Sequence, residues 1–309
     1  LKISSGKLRG LQRLADENGN FYMLALDQRN SLQRMLKDRG IEPTYSKIKE
    51  IKFNILKTLS KHVSAVLVDG EYALPEGFKF VHPRTGVIFA LEKSGYVVDE
   101  NNPQDRKNIL FREDAVEVAK RWGCDAVKLL IYWSDEAGQE AKRHQMELVK
   151  RVGEEAKKWD IPFILEILTY GKNKGSSDAV LSAMNVFKRE EYGVDLFKIE
   201  AFREELPPDR ITEASGGKPW VILSGGADVK DFLPLVTLNC KLGSSGFLAG
   251  RVVWKDVVEV AQSAEQMELF LRTSGRAIIR WLKKAGSSAI PWYMCPYFEG
   301  FERIEVKES

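Results

Sequence analysis

The chain alternates between short runs of apolar, β-prone residues and longer stretches in which apolar residues return every three or four positions. The short runs fall at 21–26, 65–68, 87–91, 126–132, 163–168, 196–199, 220–223 and 246–249. The helical period falls at 44–61, 105–122, 135–159, 177–192, 228–240 and 253–272. Strands that are apolar at both parities need cover on both faces, which is the pattern of parallel strands joined by helices. Eight of them predict an α/β fold, a (β/α)8 TIM barrel spanning about 19–274. A helix precedes the first strand and a C-terminal extension follows from about 275 to 309, all in one domain. An open, doubly wound sheet is disfavoured, because no GxGxxG turn follows the first strand. The segment 171–177, rich in Gly, Lys and Ser, reads as a mobile loop after the fifth strand rather than a linker.

Charge interrupts these apolar runs where a barrel builds its active site, at the carboxyl ends of the strands. The sixth run, Asp195-Leu196-Phe197-Lys198-Ile199-Glu200, encloses a lysine. A buried ammonium is costly unless it is paired or loses its proton, and a neutral lysine amine forms a Schiff base with a carbonyl substrate. The competing reading is a salt bridge to Glu200 on the same strand face. The fourth run carries Lys128, the fifth Glu166, the first ends in Asp27-Gln28-Arg29, the second in Asp69-Gly70-Glu71 and the third in Glu92-Lys93.

At pH 7 an unperturbed lysine is neutral about once in 2,500 molecules, so amine chemistry requires lowering its pKa toward neutrality, roughly 4 kcal/mol. A second ammonium about 6 Å away supplies roughly 2 to 3 kcal/mol at an effective dielectric of about 20. Lys128 is positioned to depress Lys198 in this way, and Glu166 to move protons to and from the carbinolamine and the substrate hydroxyl. A Lys128–Glu166 salt bridge between adjacent strands is the alternative. After the seventh and eighth runs, Ser224-Gly225-Gly226 and Gly250-Arg251 place free backbone N–H groups and a guanidinium where barrels often bind phosphate.

Composition narrows the partners. The 309 residues are 44% hydrophobic and 29% charged, with 47 basic and 44 acidic side chains mixed along the sequence. A net charge of +3 implies no nucleic-acid surface, and a basic pocket for an anionic metabolite accounts for it. No run approaches 18 uninterrupted apolar residues and the first ten hold no signal-like core, so neither membrane nor export is expected and the cytoplasm is. Cys124, Cys240 and Cys295 show no CxxC spacing and read as reduced thiols, Cys124 as a small buried hydrophobe. Three scattered histidines, His62, His82 and His144, give no basis for a metal site. The aromatic cluster Trp292, Tyr293, Pro296, Tyr297 and Phe298 reads as core packing of the tail, with a lid or the contact of a homo-oligomer as alternatives.

Taken in order from about 19 to 254, the segments Asp27-Gln28-Arg29, Ala126-Val127-Lys128-Leu129-Leu130, Phe163-Ile164-Leu165-Glu166-Ile167, Leu196-Phe197-Lys198-Ile199-Glu200, Val221-Ile222-Leu223-Ser224 and Gly246-Phe247-Leu248-Ala249-Gly250-Arg251 resemble the tagatose 1,6-bisphosphate aldolases and the related sulfofructose 1-phosphate aldolases. The resemblance implies a class I, metal- and cofactor-independent aldolase acting on a phosphorylated sugar. It implies Lys198 as the Schiff-base lysine, Lys128 and Glu166 as its partners, Asp27 and Gln28 as substrate contacts, and Ser224 and Arg251 as holders of an anion. The substrate-facing set is then Asp27, Gln28, Arg29, Ser224, Gly225, Gly250 and Arg251. One departure is Phe202, where the family usually has proline. Residues 91–96 and 162–170 lean toward the tagatose branch, and 220–251 toward the sulfosugar branch. A sugar-phosphate sensor without turnover is the non-enzymatic alternative, and it gives no reason to keep Lys198, Lys128 and Glu166 together.

Overall fold

A computed structural model describes residues 2–98 and 102–307. Eight parallel strands close into a barrel in sequence order: β1 (Phe21–Leu26), β2 (Ala65–Val68), β3 (Gly86–Ala90), β4 (Ala126–Trp133), β5 (Phe163–Thr169), β6 (Leu196–Glu200), β7 (Trp220–Leu223) and β8 (Gly246–Ala249). The ring shuts where β8 pairs with β1, from Gly246 opposite Phe21 to Ala249 opposite Leu24. That closure needs glycine at 246, whose φ is +131° and where a Cβ would stand 2.2 Å from the Phe21 carbonyl oxygen.

Around and beneath the barrel lie α1 (Ser5–Leu14), α2 (Asn30–Lys37), α3 (Tyr45–Leu59), α4 (Ala115–Arg121), α5 (Gln139–Lys158), α6 (Ser177–Phe187), α7 (Pro208–Ser215), α8 (Val229–Lys241), α9 (Arg251–Trp254), α10 (Ala264–Phe270) and α11 (Arg276–Ala285). Thr44 and Ser176 cap α3 and α6 by accepting from the N–H groups of Lys47 and Ala179. All eight expected strands are present; the helical layer adds α2 and α7, which the periodicity did not predict, and departs from a regular (β/α)8 pattern in three further places. Between β2 and β3 a short 3-10 turn, Glu76–Phe80, replaces a helix, in a stretch broken by Pro75, Gly77 and Pro83. The expected helix over 105–122 is helical only in α4. Upstream, Arg106–Lys107 pairs antiparallel with Val97–Val98, and the Gln145 side chain accepts from the Asn108 N–H and donates to the Arg106 carbonyl in place of a helical ladder, while Asn108 Oδ1 accepts from the Tyr132 N–H of β4. The expected helix over 253–272 is broken after Trp254, and α10 then runs through a π turn, Leu271–Gly275, directly into α11.

Strand parity divides the core. Phe21, Met23, Ala25, Ala65, Leu67, Ile88, Ala126, Ile164, Leu196, Val221 and Leu248 fill the lower barrel and meet Leu11 and Leu14 of α1. Trp292, Cys295 and Phe298 join them, with the Trp292 and Phe298 rings edge to face at 4.9 Å and the Trp292 backbone N–H donating to the Gly19 carbonyl. The tail aromatics therefore plug the amino-terminal end of the barrel, as core packing, away from the carboxyl ends of the strands.

Asp69, at the end of β2, does not belong to the mouth. Lys52 of α3 and Asp69 are both fully buried and ion-paired, and the Lys52 ammonium also donates to the Leu26 carbonyl at 2.8 Å. The other Asp69 oxygen accepts from the N–H groups of Glu71 and Tyr72, so this carboxylate fastens a helix to two strand ends. Removing one partner strands a buried charge, and Asp69→Ala is expected to cost about 3 to 5 kcal/mol in a urea melt. A loss under about 1 kcal/mol, the range of surface pairs, would contradict this role.

Candidate active site

The parity that fills the lower barrel sets what stands above it. Continuing two residues along each strand from the apolar layer puts Asp27 after Ala25, Glu92 after Ala90, Lys128 after Ala126, Glu166 after Ile164 and Lys198 after Leu196. Register fixes their heights. Glu166 lies directly opposite Lys198, whereas Lys128 lies opposite Ile164 on one side and Ala90 on the other, one layer deeper.

The Lys128 ammonium is fully buried and donates to Asp27 Oδ2 at 2.7 Å and Glu92 Oε1 at 2.6 Å, with Glu166 Oε2 at 3.1 Å. Lys198 Nζ lies 2.8 Å from the same Glu166 oxygen. The two amines are thus bridged by one carboxylate atom. Glu92 also accepts from the Leu130 N–H at 3.0 Å, and buried Arg29 donates to the Glu92 carbonyl at 2.9 Å with its guanidinium 3.7 Å from the carboxylate. Three carboxylates face three cationic side chains, so the cluster is balanced when Lys198 carries its proton.

Burial by itself would raise the Asp27 carboxyl pKa, but the ammonium groups of Lys128 and Lys198 outweigh it and hold that carboxyl well below its ordinary range. Burial by itself would lower the Lys128 pKa. Asp27, Glu166 and Glu92 outweigh that and push it above the ordinary lysine value. Lys128 is therefore held as an ammonium. The carboxylate of Glu166 that faces Lys128 also faces Lys198. The alternative pair of Lys198 with Glu200 does not form; Glu200 instead accepts from the Thr169 N–H at 2.9 Å.

Above this cluster opens a cavity of about 340 Å³, a volume suited to a small metabolite. Lys198, Glu166, Asp27, Gln28 and Arg29 line it, together with Ser224, Gly225, Gly226, Gly250 and Arg251 from the last two strands. Lys128 lies beneath and does not reach it. Gly225 and Gly226 turn the chain at φ +59° and +90°, and a Cβ on Gly226 would stand 3.1 Å from the Arg251 guanidinium carbon. The Arg251 side chain makes no ion pair or hydrogen bond among the described residues, which leaves its donors to an incoming anion. Gly250 has a packing duty as well: a Cβ there would stand 2.2 Å from the Ala25 carbonyl oxygen.

Beside the mouth the Arg106 guanidinium sits among three tyrosine rings, 4.7 Å from Tyr96, 5.1 Å from Tyr132 and 4.9 Å from Tyr170, and so ties that strand pair to the ends of β4 and β5. Tyr96 and Tyr132 reach the cavity. None of the three histidines lines the cavity, and His144 is bonded to the Asn108 carbonyl at 2.7 Å. The cysteines are free and buried, with burial raising the Cys240 thiol to about 12 and the Cys295 thiol to about 11.

A closed parallel barrel with an amine, a bridging carboxylate and an unpaired guanidinium at its carboxyl end defines an α/β-barrel enzyme of carbonyl chemistry. The chain belongs to the DeoC/LacD family of aldolases, whose sequence profile matches residues 21–256. It is 30% identical to tagatose 1,6-diphosphate aldolase 1 of Streptococcus mutans, over 94% of this chain and 99% of that one. It is 28% identical to tagatose 1,6-diphosphate aldolase of Listeria monocytogenes, over 100% and 99% of the two chains. In fold it is similar to an archaeal fructose-1,6-bisphosphate aldolase whose catalytic lysine is covalently bound to the carbinolamine intermediate, with a TM-score of 0.57, 19% identity, and 84% and 97% of the two chains covered.

The depressed Asp27 carboxyl has a consequence for stability. The folded protein binds fewer protons there than the unfolded chain, so the contribution is full above about pH 4, the ordinary aspartate value, and is lost as pH falls below it. In urea melts at decreasing pH, the wild type is expected to lose stability below about pH 4 more steeply than Asp27→Asn. Parallel losses in the two proteins would contradict the assignment.

Proposed function

We propose that the protein is a class I aldolase that cleaves a phosphorylated ketose, with tagatose or fructose 1,6-bisphosphate as substrate, to dihydroxyacetone phosphate and glyceraldehyde 3-phosphate. One contact carries the reading: Lys198 Nζ, at the cavity floor, lies 2.8 Å from Glu166 Oε2. The names of the S. mutans and L. monocytogenes relatives support the substrate class, and the carbinolamine-bearing archaeal neighbour supports the covalent route.

Glu166 takes the proton of Lys198, and the neutral amine attacks the ketose carbonyl carbon to give a carbinolamine. The same carboxyl returns a proton to the carbinolamine hydroxyl, which leaves as water, and the iminium forms. The electrons of the C3–C4 bond then move to the iminium nitrogen while the C4 hydroxyl gives its proton to Glu166, releasing the aldehyde. Protonation of the enamine at C3 and hydrolysis yield dihydroxyacetone phosphate and free Lys198. Lys128 does not compete for the carbonyl, because it stays charged and lies below the cavity. Arg251 and the turn through Ser224, Gly225 and Gly226 hold the phosphate of the dihydroxyacetone half. Asp27, Gln28 and Arg29 form the wall against which the sugar lies. Phosphorylated sugars and three free cysteines suit a reducing cytoplasm.

Borohydride treatment with dihydroxyacetone phosphate in the presence of EDTA is expected to leave a reduced adduct that peptide mapping places on Lys198 and that Lys198→Met lacks. No adduct on folded protein, or one at another lysine, would sink this chemistry. Glu166→Gln is expected to lower kcat for cleavage by roughly 10²- to 10⁴-fold, the usual worth of a positioned acid–base group, and an unchanged kcat would remove Glu166 from the proton path.

A further inference from the structure

Away from the cavity, α10, the π turn Leu271–Gly275 and α11 form one continuous helical rod. Its inner side chains, among them Met267, Leu271, Ile278, Ile279 and Leu282, are buried in the layer between helices and barrel. Its outer side repeats every four residues. Leu269, Thr273, Ala277, Trp281 and Ala285 make one row, and Arg272, Arg276, Arg280 and Lys284 make the next. Leu269 is 62% exposed and Trp281 47%, and all four cations are exposed. Steps of four drift about 40° each round a plain α-helix, which would set Leu269 and Trp281 about 120° apart. The π turn takes up about one extra residue and brings the two within roughly 20° of a common line. Thr273 spends its hydroxyl on the Leu269 carbonyl, at 2.7 Å, whereas the Trp281 indole N–H has no acceptor among the described residues.

Charge sets this face apart. From 269 to 298 there are five basic residues and no acidic one, although the whole chain nets only +3. Arg272 pairs with Glu268 at 3.1 Å, but Arg276, Arg280 and Lys284 make no ion pair or hydrogen bond among the described residues. None of these side chains lines the cavity. The rod ends toward the amino-terminal side of the barrel, where the Gly286 carbonyl accepts from the Tyr22 hydroxyl at 2.7 Å.

We propose that this ridge docks an amphipathic helix of another protein, one that carries an apolar row beside a row of carboxylates. A straight ridge of residues four apart is what seats in the groove of a second helix, and tryptophan and arginine are the side chains that anchor such contacts. The unanswered cations call for acidic groups across the contact. A second copy of the same face brings cations and no carboxylate, so self-association through it is excluded. An anionic lipid surface fits less well. The inner half of the rod is committed to the barrel, and one exposed row buries little apolar area in a membrane. No residue of the cavity takes part, so the surface is independent of the aldolase chemistry.

The test uses a fluorescein-labelled, alanine-based peptide helix of about 20 residues, with leucine at every fourth position and glutamate in the flanking row, and its twin with lysine for glutamate. In anisotropy titrations the wild type is expected to bind the glutamate peptide, with affinity that falls as salt rises, and not the lysine peptide. Trp281→Ala is expected to weaken binding about 30-fold, and Arg276→Gln, Arg280→Gln and Lys284→Gln together about 10-fold. Changing the same three residues to Glu is expected to switch the preference to the lysine peptide, which also shows that variant to be folded with its ridge intact. Absence of binding, equal binding of the two peptides, or affinity unmoved by these changes would overturn the docking surface. Tighter binding to vesicles of equal phosphatidylserine and phosphatidylcholine than to the peptide would also overturn it, and would make the ridge a lipid contact.

Discussion

A single buried ammonium, that of Lys128, constrains the whole upper barrel. It has no exposed surface, and its field is met by Asp27 from β1, Glu92 beyond β3 and Glu166 on β5. Breaking such a cluster by losing one member leaves an uncompensated charge in a dry interior, which costs several kcal/mol. The strands contributing these groups must therefore keep their register, and the cavity floor inherits their rigidity. The same constraint separates the two lysines chemically. Three carboxylates keep the deeper one charged, whereas the shallower one is ion-paired with Glu166 and has an open face toward the cavity.

The two ends of the barrel divide stability from chemistry. At the amino-terminal end α1 and the aromatic tail close the core with apolar contacts, and the tail strand Glu305–Lys307 pairs with Lys2–Ser4. At the carboxyl end the same inward-facing positions switch from Ala, Ile and Leu to charged residues within one step of the strand period. The switch is affordable because each charge finds a partner across the ring. Asp69 and Lys52 show the same rule in the helical layer, where a buried pair holds α3 to the barrel without reaching the cavity.

Much of this was legible in the sequence. Apolar runs gave the eight strands, and lysines or carboxylates inside such runs gave Lys198, Lys128 and Glu166, because a charge in a buried strand needs a reason. Glu92 was within reach: it follows Ile88 and Ala90 at a spacing of two, the inward-facing parity of that strand. The rest depended on long-range geometry. No local pattern shows that Lys128 lies a layer below Lys198, since barrel stagger sets the heights. Nor does it reveal that Arg34, on a short polar helix, and Lys93, in a loop, line the same cavity. The helix α7 was missed because its eight residues, Pro208–Ser215, are mostly polar, and the pairing of Val97–Val98 with Arg106–Lys107 because Gln145 of α5 bonds the backbone of Arg106 and Asn108.

The division of labour between the two lysines is tested most directly by observing their protonation. In protein labelled with ¹³C at lysine Cε, the resonance that disappears in Lys128→Met should stay in its charged position as pH rises through the ordinary lysine value of about 10.4. A Lys128 resonance that titrates at or below that value would show that the carboxylates do not hold it charged, and would contradict the account of which amine is free to react.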